Sequence, residues 1–309
     1  MITGGASALI PMPEEKISLE DLKKINKLLL NSGAPLEDMN TVRKHISKTK
    51  GGKLAKMINP AEIVNLIIID EISGEPWGPT VPDETTFEGA INVLKKHELW
   101  EKSPESVKNY LKKGVKNKEL ETLNFSDFKK LRFQNIILGD NKAMCESAEK
   151  KAEELGFNSL ILTTKLEGEG GEVGTAFASI GKEIVENNRP LEIPCAIIAG
   201  GETPIALEEA NSGKGGPSQE FVLKSSLKIA NYERIVIGSI DTDGTDGPTN
   251  IAGGLVDGKT VERAEDKNID IHKNLVNHNS SFVLSELGDA IFTEPTETNV
   301  MNLYMIVAL

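Results

Sequence analysis

The sequence predicts an α/β protein built as two layered domains, and three observations carry that expectation. Short apolar runs rich in β-branched residues alternate along most of the chain with longer amphipathic segments. Glycine-rich turns follow several of those runs, which is where α/β sheets place their ligand loops. The composition, 39% hydrophobic and 27% charged over 309 residues, is that of a globular chain long enough for two cores.

Taken in order, Ser18 can cap a helix over residues 19–31, with Asp21 three residues on, an apolar stripe of Leu22, Ile25, Leu28 and Leu29, and Gly33 as its stop. Residues 63–69 are a nearly continuous β-branched run ending at Asp70, which predicts a strand buried on both faces. Residues 85–96 and 103–113 read as helices. The polar stretch 117–130 reads as the crossing between domains, giving residues 1–130 and 131–309. A second series follows: strand 135–138, helix 141–155 stopped by Gly156, strand 159–163, helix 172–187, strand 195–199, helix 219–230, strand 234–240 and a closing strand 303–308.

Charge and cysteine usage exclude several classes. A net charge of −12 argues against a nucleic-acid or anionic-membrane partner for the surface as a whole. Cys145 and Cys195 have no paired spacing, so neither a disulfide framework nor a zinc site is indicated, which fits a reducing cytoplasm. No run approaches the roughly eighteen apolar residues of a membrane span.

The densest chemistry lies in Asp241-Thr-Asp-Gly-Thr-Asp-Gly-Pro-Thr249, just past an apolar run. Gly244, Gly247 and Pro248 bend this loop sharply and crowd Asp241, Asp243 and Asp246 together. Crowded like charges call for a cation or hydrogen-bond donors among them, so the loop suits either a divalent ion, substrate hydroxyls, or backbone N–H groups that it caps. The register is not that of a calcium-binding EF-hand, because Thr245 and Asp246 stand at positions five and six. Three glycine loops complete the set: residues 2–8 with Gly4, Gly5 and Ser7, residues 200–203 with Glu202, and residues 213–219 with Gly215 and Gly216. The last precedes a helix and can present its N-terminus to an anion. None is a Walker or dinucleotide fingerprint. Finally, residues 40–54 carry Arg43, Lys44, His45, Lys48, Lys50 and Lys53 with no carboxylate between them. Gly51 and Gly52 would let backbone approach an anion there; the bland alternative is a solvated amphipathic helix burying Val42, Ile46 and Leu54.

Together these segments resemble the ATP-dependent glycerate 2-kinases, whose C-terminal module is often called the MOFRL domain. The matching pieces are residues 4–9, 40–55, 78–83 with 85–87, 200–203, 215–221, 241–249, and 295–296 with 298–300. The resemblance implies a partial Rossmann-like N-terminal domain and a smaller α/β C-terminal domain with the active site in the cleft between them. It also implies ATP and Mg²⁺ as cofactors and D-glycerate as substrate, without a nucleic-acid or membrane partner; a homodimer is compatible with it. On this footing Gly4, Gly5, Ser7, Lys50, Gly51, Gly52, Gly215 and Gly216 are expected to hold nucleotide phosphates, and Arg43, Lys44 and Glu202 the substrate. Arg43, Asp243 and Asp246 are expected to act in catalysis, and Asp241 and Asp246 to hold the metal. Asp246→Asn is accordingly expected to remove activity with little change in melting temperature. Departures exist: Pro217 stands where many members have arginine, and Glu294 and Glu297 where they have glycine. Family members also carry a substantial segment, with a functional lysine, ahead of the Gly-Gly-x-Ser loop. Only three residues precede that loop here, so self-association and weak ATP binding are expected of the isolated chain. Two other readings are a hydroxypyruvate reductase and a non-catalytic remnant that binds a small anion.

Overall fold

A computed structural model describes residues 10–205 and 213–309. The chain divides into two compact units, Met1–Ile67 with Pro76–Ile136, and Ile68–Glu75 with Ile137–Leu309. The division is therefore not a single cut: a short segment near Asp70 belongs with the C-terminal unit.

The first unit is mainly helical. Helix α1 (Leu19–Leu30) starts where Ser18 Oγ accepts the Asp21 N–H at 3.0 Å, and it buries Ile25 and Leu29. Helices α2 (Leu36–His45), α3 (Lys53–Ile58), α4 (Phe87–Lys96) and α5 (Glu105–Lys116) follow, with β1 (Ile63–Ile68) between α3 and α4. Ile25, Leu29, Val42, Ile46, Phe87, Leu94 and Leu111 share one core. The polar stretch expected to cross between domains folds as a 3₁₀ turn at Lys118–Leu120 and a short helix α6 (Phe125–Phe128). Leu123 and Phe128 from this stretch pack with Ala55 and Ile63 in a second small core.

One expectation is overturned here. Strand β1 pairs with β2 (Phe133–Gly139) in a two-stranded sheet, and β1 is not buried on both faces. Val64, Leu66 and Ile68 are 55%, 61% and 39% exposed. A β-branched run signals a strand, but burial of its faces depends on layers supplied from elsewhere.

The second unit holds a six-stranded mixed sheet with strand order β3-β4-β8-β5-β6-β7. Its strands are β3 (Asn158–Leu166), β4 (Cys195–Gly201), β5 (Ile235–Asp241), β6 (Gly253–Asp257), β7 (Ala290–Ile291) and β8 (Asn302–Ala308). Only β3 and β4 pair in parallel; β8 lies antiparallel between β4 and β5. Helices α7 (Asn141–Glu154), α8 (Gly170–Asn187) and α9 (Pro217–Ile229) are long, and α10 (Thr260–Asp266), α11 (Ile271–Val276) and α12 (Ser280–Leu287) are short. Strand β4 is buried throughout because its alternate residues meet different layers. Cys195, Ile197 and Ala199 join the core containing Phe177 of α8 and Phe221 of α9, while a Cβ on Gly200 would stand 2.0 Å from Asn141 Oδ1 of α7. The Phe221 ring packs edge to face on Phe177 and Tyr304 at centroid separations of 5.2 and 4.8 Å, and Phe177 and Tyr304 meet tilted at 6.3 Å. This packing anchors the ends of β4, β5 and β8, from which the functional loops leave. No helix among the described residues is long and apolar enough to cross a membrane.

Candidate active site: a basic turn and an aspartate loop

In the first unit the basic run is neither one helix nor solvated. Helix α2 ends at His45, and a turn carries the chain to α3 through Gly51 and Gly52 at φ of +61° and +74°. Carboxylates distant in sequence meet its cations: Lys44 Nζ donates to Asp83 Oδ1 at 3.0 Å, and Lys53 Nζ to Glu14 Oε1 at 2.9 Å. The buried His45 ring lies 2.7 Å from Glu121 Oε1 through Nε2 and 2.7 Å from the Thr41 carbonyl through Nδ1. Burial pushes the Asp83 carboxyl up, but Lys44 and Thr85 outweigh it and hold it below the usual range. Lys44, expected to bind substrate, is thus engaged by Asp83.

Arg43 is held differently. Its Nε donates to Asn26 Oδ1 at 2.9 Å and one terminal nitrogen to Asn40 Oδ1 at 3.5 Å. Both partners are neutral, so they orient the guanidinium without cancelling its charge. Burial first, and the charge of Arg43 second, hold the Lys50 ammonium below its ordinary range. The two cations are thus partly desolvated and close enough to repel each other. Gly51 and Gly52 have a packing reason instead: an added Cβ would meet Thr122 Cγ2, or Phe128 Cε2, at 2.6 Å. Gly4, Gly5 and Ser7 lie outside the described residues.

In the second unit, the aspartate loop leaves the end of β5. Asp241 N–H donates to the Ala252 carbonyl at 2.7 Å, and Thr242 is tied to Met301 by both its N–H and its hydroxyl. Asp243 forms an Asx turn in which Oδ1 accepts the Thr245 N–H at 2.7 Å and the Thr245 hydroxyl at 2.9 Å. Asp246 turns inward and is fully buried. Its Oδ1 accepts the Ser218 N–H at 3.1 Å, and its Oδ2 accepts the Gln219 N–H at 2.8 Å and the Gln219 carboxamide at 3.0 Å. The N-terminus of α9 does face an anion, as its glycine loop suggested, but that anion is Asp246 of the same chain. Gly215 and Gly216 make room for this: a Cβ on Gly216 would stand 2.3 Å from Asp246 Cγ.

This geometry changes what the three aspartates offer. Asp246 spends three of its roughly four acceptor sites on α9 and is withdrawn from solvent. Among the described residues, no group of three or more His, Cys, Asp or Glu side chains has a metal-holding arrangement. Asp241 and Asp243 remain partly exposed. Desolvation, and then the charge of Asp243, push the Asp241 carboxyl up to about 7, with Glu202 adding to the effect. Glu202 is itself raised by desolvation first and by Asp70 second. Its loop is fixed by Thr203, whose hydroxyl lies 2.8 Å from the buried Tyr304 hydroxyl.

A raised carboxyl pKa has a definite sign in stability. The folded state binds the Asp241 proton more tightly than the unfolded chain does, so this group favours the fold below about pH 4 and that contribution is lost as pH rises through about 7. Asp241→Asn, fixed neutral, should therefore raise the melting temperature at about pH 8, with a gain that shrinks on acidification and vanishes near pH 4. Thermal melts across that range check it, and a lower melting temperature at about pH 8 would show the Asp241 charge to be compensated.

Glu294 and Glu297, noted as departures, both sit at a φ of +60° in the segment that braces this loop, where the Thr296 N–H donates to the Asp243 carbonyl at 3.0 Å. A left-handed backbone costs a non-glycine residue roughly 1–2 kcal/mol, partly offset by the greater chain entropy glycine loses. Glu297→Gly should thus stabilise the second unit by about 0.5 kcal/mol in denaturant titrations.

Sequence reasoning missed Asp83, Glu121 and Glu14 as partners of the basic run and Gln219 as a partner of Asp246. Asp83 and Gln219 lie in motifs already noted, but nothing local to them signals what they touch.

A mixed α/β sheet with carboxylates at its strand ends, and a helical unit carrying an oriented arginine in the last turn of α2, define a two-unit α/β protein. Comparison with known proteins gives the particular family. Residues 1–112 match a domain of unknown function, DUF4147, and residues 195–302 match the MOFRL family. A glycerate 2-kinase of Pyrococcus horikoshii is 46% identical over 99% of this chain and 69% of its own length. A D-glycerate 2-kinase of Thermotoga maritima is 37% identical over 98% of this chain and 70% of its length. The crystal structure of a glycerate kinase from Thermotoga maritima superposes with a TM-score of 0.86, covering 99% of this chain and 71% of that one. A Pyrococcus horikoshii crystal structure, 46% identical, superposes with a TM-score of 0.80 over 99% of this chain and 70% of that one. The chain belongs to the glycerate 2-kinase family.

Proposed function

We propose that this chain transfers the γ-phosphoryl group of ATP to the 2-hydroxyl of D-glycerate, giving 2-phosphoglycerate. The observation that carries this reading is 46% identity to a glycerate 2-kinase over 99% of the chain. The two clusters suit such a reaction. Phosphoryl transfer spreads negative charge over the transferring group, so positioning and cationic stabilisation do most of the work. Arg43, oriented by two asparagines, takes a carboxylate or phosphoryl oxygen with the open edge of its fork, and Lys50 supplies a second desolvated cation. Asp241 and Asp243 accept the hydroxyls of the small substrate, Asp243 through the oxygen that its Asx turn leaves over. A Mg²⁺ ion would neutralise phosphate charge and would take most of its ligands from phosphate and water. Asp246 acts as a buried cap and not as a reacting group.

Two assays test the reading: ADP release with ATP and D-glycerate, and NADH oxidation with hydroxypyruvate. ADP release that depends on D-glycerate is the expected result. NADH oxidation without ADP release would replace the kinase by a reductase. A folded protein silent in both would leave only anion binding.

A further inference from the structure

The carboxamide of Gln219 is fully buried and ties together separate segments of the second unit. Its nitrogen donates to the aspartate loop at the Asp246 carbonyl (3.1 Å), Asp246 Oδ2 (3.0 Å) and Thr249 Oγ1 (3.2 Å). Its oxygen accepts the Ser281 hydroxyl at 2.6 Å, at the start of α12. Ser281 N–H in turn donates to the Lys214 carbonyl at 3.1 Å, so the same turn grips the glycine loop ahead of α9.

Chemistry fixes which way this amide points. Turned over, its oxygen would face a carbonyl and a carboxylate, neither of which donates, whereas the Ser281 hydroxyl can donate or accept and tolerates either face. The Asp246 carbonyl and carboxylate therefore select one orientation, in which the two amide hydrogens hold both Asp246 and Thr249 and the Ser281 hydroxyl donates to the oxygen. Asp241 and Asp243 stand on the same short loop, upstream of those two anchors. We infer that Gln219 is a positioning residue: its carboxamide, braced by Ser281, sets where Asp241 and Asp243 stand. The consequence for turnover rests on the kinase reading proposed above; the consequence for the loop does not.

The test uses Gln219→Glu and Ser281→Ala beside the unsubstituted chain, at about pH 8 and about pH 6. At about pH 8 the new carboxyl repels Asp246 and cannot donate to it, so the KM for D-glycerate should rise about tenfold, while the KM for ATP stays within about twofold. At about pH 6 the two carboxyls share a proton, a donor is regained, and the rise in KM should shrink. Ser281→Ala, which removes only the bracing hydroxyl, should raise the same KM about threefold at both pH values. In both variants at about pH 8, amide hydrogen exchange should quicken in residues 241–249 but not in β4 or β5. Loss of active protein with unchanged KM, an equal rise in both KM values, or exchange that is unchanged or quickened across the whole sheet would overturn the inference. Should Gln219→Glu fail to fold, Ser281→Ala decides by the same readouts. If the unsubstituted chain shows no turnover, the kinase reading falls, and the exchange pattern alone supports or overturns this inference.

Discussion

Replacing Asp246 with alanine is expected to cost the second unit about 3 kcal/mol and to lower its melting temperature by roughly 10 °C. The Ser218 and Gln219 N–H groups and the Gln219 carboxamide would lose their shared acceptor where water does not reach it. An N-cap replaced by alanine typically costs about 1 kcal/mol, and buried unsatisfied donors add to that. Asp246→Asn should lose less, about 2 kcal/mol, since it keeps one accepting oxygen but turns an amino group toward a backbone donor. Both expectations replace the nearly unchanged melting temperature expected from the sequence. Desolvation first pushes the Asp246 carboxyl up to about 6, although the α9 donors pull it down. As with Asp241, a carboxyl raised in the fold weakens stability as pH climbs from about 4 through 6, so the cost of Asp246→Ala should be larger at about pH 4 than at about pH 8. Calorimetry of the variant at the two pH values checks both size and sign. A variant that melts like the unsubstituted chain would remove the capping role.

Arg43→Lys should lose most of the catalytic efficiency that Arg43→Ala loses, which we expect to be about 100-fold in kcat/KM. The two asparagine oxygens hold the guanidinium from one side at fixed angles, and an ammonium cannot keep both contacts and still present two donors to a ligand. Lysine would also bring its compact charge beside Lys50, which burial already disfavours as an ammonium. Steady-state kinetics of the two variants with D-glycerate and ATP decide the matter. Full retention in Arg43→Lys would mean that the residue supplies only a general positive field.

Local signals in the sequence were legible where a single stretch contains its own cause. The cap at Ser18, the stops at Gly33 and Gly156, the strands around Ile197, Ile237 and Ile306, and the bend of the aspartate loop all follow from residues within a few positions of one another. Strand β6 was not legible. It opens on Gly253 and Gly254, poor strand formers, and Gly253 is required because a Cβ there would stand 1.9 Å from the Ser239 carbonyl. The short helices α10 to α12 were missed for a related reason, since helices of six to eight residues take their stability from packing more than from propensity.

The same division runs through the candidate site. By itself the sequence determined which residue types gather: carboxylates on a bent loop after a strand, cations on a glycine turn, and a set of motifs specific enough to indicate the family. Tertiary structure decided which of those groups remain available. Lys44 and Lys53 read as free cations because no carboxylate lies near them in sequence, yet Asp83 and Glu14 reach them across the fold. Asp246 read as one of three equivalent aspartates until the N-terminus of α9 arrived from nearly thirty residues upstream. A charge is a property of a residue, but its availability is set by what the folded chain places within about 3 Å of it, and that partner is seldom a neighbour in sequence.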